Sequence, residues 1–124
     1  TGIIMATGNA QIASGGLGGN LTNPLQNDPD LMALAGQNIY DAIIIEFDFR
    51  AISDSIKFNY VFASKEYPSF TCSPYNDAFG FFLSGPGING IYSNNSINIA
   101  LIPGTDVPVA INTVNLCGSK SRLD

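Results

Sequence analysis

From Ala42 onward, apolar and polar positions alternate with the period of an extended chain. Ile43, Ile45, Phe47 and Phe49 fall on one side, while Ile44, Glu46 and Asp48 fall on the other. Residues 50–54 interrupt the pattern as a turn, and Ile56, Phe58, Tyr60 and Phe62 resume it, which predicts a β-hairpin. Phe79, Phe81 and Leu83 line a third strand, Ile97, Ile99 and Leu101 a fourth, and Val107, Val109 and Ile111 a fifth. Pro86-Gly87 and Pro103-Gly104 mark the turns between them. Upstream, residues 3–7 suit a short apolar strand. Residues 8–37 are loose, with Gly15-Gly16, Gly18-Gly19, Asn23-Pro24 and Asp28-Pro29-Asp30 as punctuation. Within that region Leu31–Ala35 fits either one helical turn, opened by Asp28 or Asp30 and closed by Gly36, or an irregular loop.

Short strands, Gly/Pro/Asn turns and little room for helix predict an all-β domain. The expected architecture is an antiparallel two-sheet β-sandwich, jelly-roll-like, with a loose Gly/Asn-rich N-terminal region and under about a tenth helix. Aromatic and β-branched inward faces suit two sheets packed ~10 Å apart. Each such side chain contributes about 1.5–3 kcal/mol on burial, which outweighs weak local propensity. No internal repeat or low-complexity tract competes with this organisation.

A chain of 124 residues is a single domain, 1–124, long enough to bury a core. Charged residues make up 12% of it, about half the usual share, so surface polarity must come from Asn, Ser, Thr and Gly. That balance fits an extracellular β domain better than a cytosolic helical enzyme. A net charge of −5 without a basic patch excludes a nucleic-acid partner. Histidine is absent, which removes the commonest general base and transition-metal ligand. No membrane span, signal peptide or lipidation motif is present, and the chain is expected to be a segment of a longer secreted polypeptide.

Two blocks are more specific than the pattern around them. Phe58-Asn59-Tyr60-Val61-Phe62-Ala63-Ser64 runs into the polar elbow Lys65-Glu66-Tyr67-Pro68. Asn76-Asp77 then opens a second aromatic strand, Phe79-Gly80-Phe81-Phe82-Leu83, which Ser84-Gly85-Pro86-Gly87 closes. A third block reads Asn98-Ile99-Ala100-Leu101-Ile102-Pro103-Gly104-Thr105. A core strand needs the aromatics but not these acids and amides at its ends. The three blocks resemble the choice-of-anchor L domain family of secreted and cell-surface proteins from Bacteroidetes-type bacteria, over nearly the whole chain. Lys65 departs from the pattern, standing where the family usually has the first of two glutamates. The resemblance implies export, with a C-terminal sorting signal outside this segment and the type IX route as the usual expectation.

Glu46 and Asp48 project to one side of a strand about 7 Å apart. With Asn76, Asp77 and Glu66 they supply oxygens of the kind calcium accepts, so a calcium site is one reading and a solvated strand face the other. The same carboxylates could serve a glycosidase, but the chain has no tryptophan as a sugar platform. Neither Ser64 nor Cys72 has a histidine to activate it, so the chain is expected not to be an enzyme. Lys65, Tyr67 and Tyr75 form a polar-aromatic rim suited to ligands, unless the tyrosines merely pin the loop. Cys72 and Cys117 suit one bridge in an oxidising compartment, or are two separate buried thiols. Asn20-Leu21-Thr22 and Asn94-Asn95-Ser96 match the N-glycosylation sequon, incidentally in a bacterial protein. The expected function is a non-enzymatic adhesion or binding module. Its partners would be an extracellular protein, a carbohydrate or copies of itself, the last in a structural subunit of a filament or surface layer.

Overall fold

The computed structural model describes residues 2–7, 27–64, 66 and 69–114. Its elements in chain order are helix α1 (Pro29–Ala35), strand β1 (Phe82–Leu83), a 3-10 turn (Ser93–Asn95), strand β2 (Ile97–Asn98) and helix α2 (Ile111–Val114). The remaining described residues are extended or turn segments joined by isolated bridges.

Helix α1 forms where the capping residues allow it. Asp28 is extended, and its carboxylate accepts the Leu31 N–H at 2.8 Å. Pro29 fits the first helical position, where no N–H is needed. Gly36 ends the helix with φ 69°, donating its N–H to the Met32 carbonyl. Of the two candidate acids, Asp28 therefore caps its own helix. Asp30 instead accepts the Ser93 N–H at 2.9 Å and the Ser93 hydroxyl at 3.0 Å, tying α1 to the 3-10 turn. Gly80 keeps the joint close, since a Cβ there would meet the Phe82 ring and come within 3.3 Å of Leu31.

The segment 77–83 organises the pairing. Near its end it runs antiparallel to β2, with Phe82 opposite Asn98 and Leu83 opposite Ile97, and Ile99 donates to the Phe81 carbonyl at 2.9 Å. Near its start Ala78 bridges Ala110, Phe79 donates to Val109 and Ile111 donates to Asp77, both at 3.0 Å. The two partners are arms of one hairpin: Leu101 bridges Pro108, Ile102 donates to Val107 at 2.8 Å and Val109 donates to Ala100 at 3.1 Å. Its turn closes when the Thr105 N–H and hydroxyl both reach the Ile102 carbonyl, with Gly104 at φ 75°.

Where the chain leaves Phe81 and begins to pair with Val109, an amide side chain bridges the gap. Asn98 Oδ1 accepts the Phe81 N–H at 2.9 Å and the Ala100 N–H at 3.0 Å, and its Nδ2 donates to the Ala100 carbonyl at 3.3 Å. The two N–H groups would otherwise lose their partners in a part-buried site, while the Ala100 carbonyl also keeps the Val109 N–H. The core lies beside this junction: Ala100, Ile102, Val109, Ala110 and Ile111 are buried, Ile111 completely.

The fifth strand is shorter than its alternation predicts. The Thr113 hydroxyl accepts the Ala110 N–H at 2.8 Å and donates to the Pro108 carbonyl at 2.6 Å. Ala110 in turn accepts the N–H groups of Thr113 and Val114, so Ile111 starts a helical turn instead of continuing the strand. The hairpin predicted at 42–62 keeps its ring contacts but neither its ladder nor a buried face, since Ile43, Ile45, Phe47, Phe49, Ile56, Phe58 and Tyr60 are exposed. Phe49 meets Phe58 edge-on with ring centroids 6.4 Å apart, Phe58 lies 4.7 Å from Phe81, and Tyr60 lies 5.0 Å from Phe79. The Ser53 hydroxyl bonds the Ser55 carbonyl in the expected turn. Among the described residues, no backbone ladder joins 43–49, 56–62 and 79–81, and the one sheet is two-stranded, β1 with β2. A two-sheet sandwich is not present among them.

Replacing Asn98 by Ala leaves part-buried backbone groups of Phe81 and Ala100 without partners, and is expected to cost about 2 kcal/mol in urea unfolding. Asn98→Asp, measured at a pH where the new carboxyl is protonated, keeps the acceptor and can turn a hydroxyl toward the Ala100 carbonyl, so it should cost clearly less. Equal losses for the two variants would contradict the junction role.

Candidate functional site

The polar elbow at Asn76-Asp77 sits between the 69–75 loop, helix α2 and Asp41. Asn76 Oδ1 accepts the Asn112 N–H at 3.0 Å, capping the first turn of α2 from a distant part of the chain. Asn112 returns the support, its Oδ1 accepting the Cys72 N–H at 2.6 Å and its Nδ2 donating to the Ser73 carbonyl at 3.3 Å. The loop has internal order too: Phe70 donates to the Glu66 carbonyl, Ser73 donates to Phe70, and the Ser73 hydroxyl accepts the Tyr75 N–H at 3.1 Å. Two amide side chains thus fix the loop from below.

Above this frame the loop presents rings. Phe70 and Tyr75 meet edge-on with centroids 6.2 Å apart, yet Phe70 is 46% and Tyr75 65% exposed. Tyr75 therefore does not pin the loop by burying itself; Ser73 and Asn112 do that. Lys65 and Tyr67, the other predicted rim residues, lie outside the described residues, as does Cys117. Cys72 is held at φ 64° and is disulfide-bonded.

The predicted oxygen ligands occupy separate places. Glu46 and Asp48 lie exposed on the extended 42–50 segment, and Glu66 sits half-buried in the turn before Phe70. Asn76 already uses its side-chain oxygen on α2. Among the described residues, no three Asp, Glu or Cys side chains gather into a group able to hold a metal ion. The acidic neighbour of Asp77 is Asp41, a residue in the left-handed region at φ 63° just before buried Ala42. Asp77 as a whole retains solvent access, but withdrawal of its carboxylate from water, and secondarily the charge of Asp41, raise its pKa above the ordinary 3.8. The site offers apolar rings, amides and a carboxyl that holds its proton more tightly than usual.

Asn112 and Asp41 carry no mark in the sequence. Asn112 lies inside an apolar stretch that reads as a strand end, and Asp41 is a lone acid ahead of one. Only the pairing of 77–79 with 109–111 brings Asn112 under the loop.

A family model described as the choice-of-anchor L domain matches residues 1–122. No curated protein and no solved structure matches the chain.

Because the folded Asp77 binds its proton more tightly than the unfolded one, stability falls as pH rises from 3.8 through the raised folded value. Asp77→Asn keeps the main-chain carbonyl that accepts Ile111 and removes the titration. Thermal unfolding should show the variant more stable than the parent above that window, with the advantage vanishing below it. A variant no more stable than its parent above that window, or with an advantage that does not change across it, contradicts the assignment.

Proposed function

Because this chain belongs to the choice-of-anchor L domain family, a family of secreted or surface-associated bacterial proteins, we propose that it is a non-enzymatic extracellular β module that binds a carbohydrate or protein ligand. The carrying observation for the surface setting is the family match over residues 1–122. For binding, it is the exposed Phe70–Tyr75 pair on a loop anchored by Asn112 and Ser73. An aromatic held out of its own core offers apolar area at low entropic cost, and the tyrosine hydroxyl adds a hydrogen-bonding tip. The lack of histidine and the dispersed carboxylates support the non-enzymatic reading. No helix among the described residues is long and apolar enough to cross a membrane. The disulfide of Cys72 runs to Cys117, the other cysteine of the sequence.

A second reading, a structural subunit of a surface assembly, draws on the extended segments 43–49 and 56–62. Their backbones lack ladder partners among the described residues, and free strand edges accept added strands.

Arrays of glycans and extracellular proteins, probed with the parent and with Tyr75→Ala, test the binding reading. The parent should retain a ligand that the variant binds about tenfold more weakly, with circular dichroism unchanged. Identical binding by the two proteins contradicts the rim. For the bridge, non-reducing mass spectrometry of the secreted protein should show Cys72 and Cys117 linked, and reduction should cost about 4 kcal/mol. Two free thiols would end that assignment.

A further inference from the structure

We infer that the apolar face built from 43–49, 56–62, 79–83 and 97–99 is a contact surface for a second copy of this chain. Ring and strand contacts place all four segments on one side of a layer. Phe49, Phe58 and Phe81 form a row, and Ile99 extends it by its bond to the Phe81 carbonyl. Leu83 stands opposite Ile97 in the next row.

This face is open. The odd-numbered residues from Ile43 to Phe49, the even-numbered ones from Ile56 to Tyr60, and Ile97 and Ile99 are each 39–55% exposed. At roughly 150–200 Å² per large side chain, about 600–800 Å² of apolar surface faces solvent. That is more than a monomer leaves as one contiguous patch without a use, and it matches the roughly 800 Å² that each partner brings to a standard interface.

The occupant follows from charge and shape. The chain carries a net charge of −5, so two copies repel at most faces. By alternation Glu46, Asp48 and Lys57 point away from this one, which leaves it free of charge along its strands. A sheet-like face of Ile and Phe is complementary to itself about a two-fold axis, where identical rows interdigitate as in a sandwich. A cleft of about 240 Å³ beside the 51–55 turn, walled by Ile56, Phe58, Leu83 and Ile99 and rimmed by Ser53, Asp54 and Ser55 of the turn, gives the partner's apolar side chains room to enter, with Asp54 the one charge at its edge. This contact lies on other residues than the Phe70–Tyr75 rim and does not depend on the rim having a ligand.

Sedimentation equilibrium over a hundredfold concentration range tests it with the intact chain. A monomer–dimer equilibrium is expected. Phe47→Glu changes a residue 55% exposed at the end of the row, and should weaken self-association at least tenfold. Lys57→Glu on the other side should leave it unchanged. A parent that stays monomeric throughout shows that something other than a second copy covers the face, and overturns the inference. Open-ended assembly, or a Phe47→Glu protein as dimeric as its parent, overturns it as well. If Phe47→Glu loses its circular dichroism signature, Ile45→Lys takes its place, and the parent's own concentration series still decides.

Discussion

Backbone hydrogen bonding at a strand that changes partners is the constraint on which this structure turns. Segment 77–83 pairs with β2 at one end and with 109–111 at the other, and both partners belong to the same hairpin. The change of partner would strand the N–H groups of Phe81 and Ala100. Asn98 supplies the missing acceptor through its side chain and donates back to Ala100. An alanine or leucine there would make a better strand surface and a worse sheet, because an unmet buried donor costs more than a methyl group returns. With Phe81 fixed, Phe58 and Phe49 stack outward from it; with Val109 and Ile111 fixed, the Asp77 elbow and α2 fall into place.

The two surfaces proposed for binding inherit their geometry from that junction. On one side, α2 carries Asn112 beneath the 71–73 turn, so the Phe70–Tyr75 pair is displayed on backbone held by the Asn112 amide and by the disulfide-bonded Cys72. A small ligand-facing loop of this kind can be rigid without a large core. On the other side, the aromatic layer extends past the hydrogen-bonded ladder, and its rows are ordered by ring contacts alone. Such a layer has its side-chain register set and much of its apolar area still in water. The free energy left on that face is the physical basis of the proposed self-association.

Local features were legible in the sequence to the extent that they depend on near neighbours. Asp28, Pro29 and Gly36 bracket α1 within eight positions, and Gly104 with Thr105 closes its turn by itself. Alternation grouped the rings that meet, Phe49 with Phe58, Phe58 with Phe81 and Tyr60 with Phe79, but the inward face it predicted along 43–49 and 56–60 is exposed. Alternation says nothing of what ends a strand. Ile111 continues the pattern of Val107 and Val109, but the Thr113 hydroxyl and the distant Asn76 amide turn it into a helix start. The acidic residues show the same limit. Glu46 and Asp48 are close in sequence but, among the described residues, belong to no group of three acidic or thiol side chains, whereas Asp77 acquires Asp41 as its charged neighbour through the fold. The three blocks that carried the family resemblance include Asn76, Asp77 and Asn98, and the structure gives two of those amides defined bonding roles. Lys65, Tyr67 and Cys117 lie outside the described residues.

The central claim is that the hydrogen-bonded frame centres on 77–83 and its hairpin partners, while 43–49 and 56–62 are held to it by side chains. Native-state amide hydrogen exchange separates the two directly. The account predicts the slowest exchange at the N–H groups of Phe79, Phe81, Ile99, Ala100, Ile102, Val109 and Ile111, each of which has a partner, and fast exchange along 43–49 and 56–62. Protection of those two segments equal to that of Phe81 and Val109 would show a continuous ladder across the layer and contradict it.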